Sequence, residues 1–220
     1  MEEKNLSEKE SLALITQMIS TAKNSFVDTG VGPILWGTVV TICSLVQVSE
    51  IHFNYDFPFD IWLLTIVAII PQIYVSIQES KMKKVRTHSD ETINIVWLCF
   101  GIGLMLINFI NITYSLKLAP VLVDYEKLSG TSAAYLSYWN FGTSHLLFLY
   151  GLPTIITGWV RKFKVMLYGG ILCWICCVLS VYTNIKTDFL LMAMCAIAAW
   201  LIPGIILRRR YLKQGKRADV

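Results

Sequence analysis

The sequence predicts an all-α fold, an integral membrane bundle of six transmembrane helices, and three observations predict it. Six apolar stretches, at 31–49, 59–77, 93–115, 135–160, 165–183 and 189–207, are each about as long as a bilayer is thick. A helix rises about 1.5 Å per residue, so roughly 20 apolar residues cross the hydrocarbon core. Hydrophobic residues make up 55% of the chain and charged ones only 15%, against about 25% charged in soluble domains. Finally, the basic residues alternate between successive loops. The 220 residues then divide into a cytoplasmic amphipathic helix over 1–30, a transmembrane domain over 31–207 and a basic cytoplasmic tail over 208–220.

The N-terminal segment opens with Ser7-Glu8-Lys9-Glu10, a capping box in which serine and glutamate each satisfy an orphan amide at a helix start. Leu12, Ile15, Met18, Ile19, Ala22 and Phe26 follow at helical spacing, with Lys9, Gln17, Lys23 and Asn24 elsewhere on the surface. Asp28, Gly30 and Gly32 end the pattern. Such a helix lies on the inner membrane surface or docks a partner through Leu12, Ile15, Met18 and Ile19. The long polar start, with several acidic residues, does not read as a cleavable signal peptide. The first span is therefore expected to be its own uncleaved signal.

Each span carries small or weakly polar residues along one face. Span one has Gly37, Thr41 and Ser44, and span two has Thr65, Ala68, Gln72 and Ser76. In span three, Asn94, Trp97, Gly101, Leu104, Asn108, Asn111 and Ser115 alternate steps of three and four, a coiled-coil seam written with amides and glycine. Amides facing lipid leave polar groups unsatisfied, so this face is expected to look into the bundle. Span four holds His145, the one ionisable side chain deep within a span, with Asn140 and Ser144 close by. Asn94, Asn108, Asn111, Asn140, Ser144 and His145 form the candidate intramembrane polar site. Span five has Gly169, Cys173, Cys176 and Ser180, and span six has Ala196, Ala199 and Pro203. Pro71, Pro153 and Pro203 interrupt spans two, four and six, as in the broken helices of many transport sites and in spans that merely bend. All six cysteines fall inside spans, where buried thiols act as small apolar residues.

Charge placement gives the orientation. Lys4, Lys9 and Lys23, the loop basics Lys81, Lys83, Lys84 and Arg86, then Arg161, Lys162 and Lys164, and the tail from Arg208 to Arg217 all fall on one side. Of the 19 lysines and arginines only Lys117, Lys127 and Lys186 fall on the other. Basic residues mark the inner side, so both termini are expected in the cytoplasm. The net charge of +4 belongs to lipid headgroups, and no nucleic-acid partner is implied.

No catalytic or cofactor motif is present. Gly142-Thr143-Ser144-His145 is similar to the Gly-x-Ser-Gly nucleophile of rhomboid proteases, also in the fourth of six spans. That chemistry takes its base from a histidine of the sixth span, which has none here. Ser144 and His145 are adjacent, point about 100° apart and do not face each other. No span holds His-Glu-x-x-His or an aspartate that the sequence would bury in it. Cys173-x-x-Cys176-Cys177 lacks a second ligand pair, and Glu50, His52, Asp56 and Asp60 sit in a short outer loop among interfacial aromatics, so no metal site is assigned.

Glu8-Lys9-Glu10-Ser11-Leu12 with Leu14-Ile15 and Met18-Ile19, Trp36-Gly37, Gly151-Leu152-Pro153-Thr154 with Thr157-Gly158, Lys162-Phe163-Lys164, Gly169-Gly170-Ile171 with Trp174, and Trp200-Leu201-Ile202-Pro203-Gly204 are spread along the chain. Together they resemble motifs of a family of small uncharacterised six-span inner-membrane proteins of Bacteroidota-type bacteria. The resemblance implies a bacterial inner-membrane protein and carries no activity. The sequence thus leads to a non-enzymatic membrane regulator or interaction protein. Its partners are the bilayer and either a cytosolic protein or a second copy of itself. The alternative is a transporter or channel for a small solute or ion, with its site near the span-three amides.

Overall fold

The structure, a computed structural model, describes Leu12 and residues 29–82, 88–132 and 141–218. Within them the chain is helical and contains no strand. The helices are α1 (Val31–Phe53), α2 (Leu63–Met82), α3 (His88–Ser129), α4 (Gly142–Val160), α5 (Lys164–Ser180), α6 (Ile185–Ala196) and α7 (Ile202–Ala218). A π-helical turn, Ile197–Leu201, joins α6 to α7 into one rod. Four helices are long and apolar enough to cross a membrane: Val31–Phe53, Leu63–Met82, His88–Ser129 and Ile185–Gln214. Lys164–Ser180 is apolar but shorter.

The apolar stretches account for where these helices lie, and polar residues account for how they end. Asn54 takes a left-handed conformation after α1, returning its amide to the Glu50 carbonyl. Asn184 caps α6, its side chain accepting from the Thr187 amide at 3.0 Å. One boundary departs clearly from the sequence expectation. The third apolar stretch ends at 115, yet α3 runs on to Ser129 as a helix of 42 residues with Pro120 inside it. Lys117, Pro120 and Asp124 end the apolar pattern without ending the helix. A proline removes one backbone bond and bends a helix, and here the ladder continues beyond it. For the fourth stretch, residues 133–140 lie outside the described residues, as do the capping box and Ile15, Met18 and Ile19. Leu12 is helical, with its side chain 64% exposed.

α3 and α4 run antiparallel, Trp97 lying against Thr157 and Gly103 beside Leu149. α4 packs most closely on α5, and α1 on α6 and the π turn, while α5 and α4 close the other side of α6. These four make the centre. α2 leans on α1 and α3 leans on α4, each from the flank. In both flanking helices only 6% of the most apolar window is buried, against 50% for the α6–α7 rod.

The centre is held by close backbone approach. A Cβ on Gly37 would lie 2.6 Å from the Leu201 amide nitrogen, and one on Gly169 would lie 2.5 Å from Ala199 Cα. Only glycine admits α1 and α5 this near the π turn, which is how small residues pack helices where lipid provides no hydrophobic drive between them. The turn itself has a local cause. Pro203 cannot donate to the carbonyl one turn back, and just before it the Ile202 amide reaches back five residues to the Ile197 carbonyl. The widened turn makes room for the ring and lays Ala199 and Trp200 into the core, where they are 1% and 3% exposed.

Candidate functional site

Polar groups inside the bundle sit at helix contacts. α4 supplies Thr143, Ser144, Thr154 and Thr157, and along its inner face Thr143, Leu147, Tyr150, Thr154 and Thr157 recur at steps of three and four and are all buried. Thr154 Oγ1 donates to the Tyr150 carbonyl at 2.6 Å and accepts the Trp200 indole N–H at 2.9 Å. One turn on, Thr157 Oγ1 accepts the Trp97 indole N–H from α3 at 3.1 Å. Around these bonds the rings of Trp97, Phe100, Tyr150 and Trp200 interlock, with Tyr150 and Trp200 centroids 4.6 Å apart. Three helices are thereby tied through two hydroxyls and four rings.

The candidate polar residues are placed as follows. Ser144 is buried, and its Oγ shares a 2.7 Å hydrogen bond with Ser180 Oγ on α5. His145 is half-buried on α4. Asn111 is 3% exposed. Trp97 lies against Thr157, and a Cβ on Gly103 would touch Leu149 at 3.6 Å. Continuing that antiparallel register brings Asn108 and Asn111 to the level of His145 and Gly142. Asn140 lies outside the described residues.

The seam on α3 does not turn into the bundle as one face, contrary to the sequence expectation. Trp97, Leu104 and Asn111 face α4 or pack toward the core, whereas Asn94 and Asn108 are exposed. Asn108 Nδ2 bonds only within its own helix, to the Leu104 carbonyl at 3.0 Å. The reason is geometric. The seam's two columns lie about 60° apart on the helix, and α4, the helix packed most closely on α3 among the described residues, covers the Trp97, Leu104 and Asn111 column while Asn94 and Asn108 stay open.

A second polar cluster lies at the end bearing the basic residues. Asp90 on α3 and Arg161 after α4 form an ion pair at 3.9 Å, their side chains 10% and 16% exposed. Glu79 on α2 accepts from both the amide and the hydroxyl of Thr29. Arg208 lies 5.6 Å above the Tyr211 ring and Arg210 5.2 Å above Phe163. Between α2 and α7 a cleft of about 260 Å³ is lined by Thr29, Tyr74, Gln78, Glu79, Arg208 and Tyr211.

Sequence reasoning missed Thr154, Thr157 and Trp200 as the polar centre. The signal was available: threonines three residues apart on the most tightly spaced small and aromatic face of the fourth stretch. Among the described residues, no group of three or more His, Cys, Asp or Glu side chains is placed to hold a metal ion. Compared with known proteins, the chain matches no family model, no curated protein and no solved structure.

Proposed function

We propose that the protein is a six-span inner-membrane protein of a Bacteroidota-type bacterium, with both termini cytoplasmic, that acts without catalysis by binding partners. The observation that carries this reading is the filled centre. Leu147, Met192, Thr154, Pro153, Pro203 and the thiols of Cys43, Cys173, Cys176 and Cys195 are each less than 2% exposed. Ser144 and Ser180 bond to each other between α4 and α5, and Thr154 accepts from Trp200 of the π turn, as interhelical glue does. What the bundle offers outward is its exposed Leu12, two open flanks and a basic end.

The test is photo-crosslinking in native membranes with the probe at Met18, with and without the paired change Leu12→Glu and Ile15→Glu. A discrete adduct that the charged pair abolishes, with membrane insertion retained, is expected. No adduct, or one indifferent to the charged pair, overturns the reading. A carrier is the second reading, favoured by the π turn beside Pro203. Solute uptake into proteoliposomes that falls when Asn108, Asn111 and His145 are replaced would put it first. Labelling of Ser144 by a serine-reactive probe would reinstate an enzyme.

A further inference from the structure

The open column of α3 carries a second seam with a composition that names its occupant. Asn94, Gly101 and Asn108 recur at intervals of seven, so they share one stripe. Leu98, Met105 and Ile112 complete it, 64%, 75% and 51% exposed. A Cβ on Gly101 would meet nothing within 4 Å. Among the described residues Asn94 makes no side-chain hydrogen bond, and Asn108 uses one of its two amide donors on its own backbone. Asn108 lies about four residues, or 6 Å, from the middle of the apolar stretch, a depth without water.

An amide there needs a partner carrying both a donor and an acceptor. A second asparagine is such a partner. Copies of one chain inserted in one orientation present α3 in parallel, so across a two-fold axis each seam residue meets its own counterpart. Asn108 then faces Asn108, with Gly101 allowing close approach one turn pair away. A single polar position in a heptad seam also fixes register and strand number.

We propose that α3 pairs with α3 of a second copy along Asn94, Leu98, Gly101, Met105 and Asn108, making the protein a parallel homodimer in the membrane. The proposal rests on the membrane reading above but not on the Leu12 docking surface, so either can fail without the other. It deepens the interaction reading by giving one partner.

The experiment is oxidative cross-linking in native membranes, using Met105→Cys in a Cys99→Ser background. Cys99, exposed on the far side of α3, is the control in the otherwise unchanged chain. Photobleaching steps counted at low density in liposomes give the dimer fraction. A disulfide-linked dimer through position 105 and none through Cys99 is expected. Asn108→Leu should weaken the dimer about tenfold, Asn108→Gln less, and Gly101→Ile should abolish it. Single-step bleaching throughout, cross-linking equal at both positions, or a mixed adduct with another protein at position 105 would overturn it. Because these positions are exposed, unchanged thermal unfolding of the monomer separates loss of pairing from loss of fold.

Discussion

Trp200, on the π turn, donates its indole N–H to the hydroxyl of Thr154, 46 residues earlier, at 2.9 Å in a site less than 1% open at the threonine. The same hydroxyl donates to the Tyr150 carbonyl. Thr154→Val keeps the shape and strands the indole donor. We expect a loss of about 1–3 kcal/mol, read as a lowered midpoint of thermal unfolding in detergent, with Thr154→Ser recovering most of it.

Two glycines on different helices should respond in opposite directions. Gly37→Ala drives a methyl onto the backbone of Leu201 and should cost about 1–3 kcal/mol, the usual penalty of overpacking. Gly101→Ala meets open space and should be neutral or gain up to about 1 kcal/mol from helix propensity. The same unfolding assay compares them.

Asp90 and Arg161 join the start of α3 to the end of α4. Asp90→Asn removes a carboxylate charge beside a mostly covered guanidinium and should cost about 1–3 kcal/mol, reduced from the fully buried case by nearby solvent. Adding Arg161→Gln should recover part of the loss. A double-mutant cycle with coupling below about 0.5 kcal/mol would show that the pair is screened.

The proposed orientation predicts where single cysteines label. A cysteine at Lys127 should react with an impermeant maleimide in intact cells, and one at Lys213 only after permeabilisation. Equal labelling would place both on one side.

Much of this fold was legible in the sequence because lipid-length apolar runs dictate helices directly. Spacing alone marks Cys173, Cys176 and Ser180, and Ala196, Ala199 and Pro203, as packing faces, and all six are buried. Helix length was less legible. The run ending at 115 measures apolar composition, while α3 follows its backbone ladder to Ser129. The polar centre is hard to see in the sequence because asparagine and histidine stand out chemically in an apolar run. Threonine and tryptophan carry the actual cross-links, and both pass as ordinary apolar-compatible residues in a span. The division of the α3 seam depends on which helix leans on which column, and spacing within one helix holds no such information.

The extra length of α3 turns it into a lever. From Leu104 to Ser129 the arm measures about 37 Å at 1.5 Å per residue, and among the described residues the helix packed most closely on α3 is α4. A tilt of about 10°, the size a helix makes to match a thinner bilayer, swings the tip by about 6 Å. The rise beyond the apolar run thus sets how far the tip would move for a given tilt.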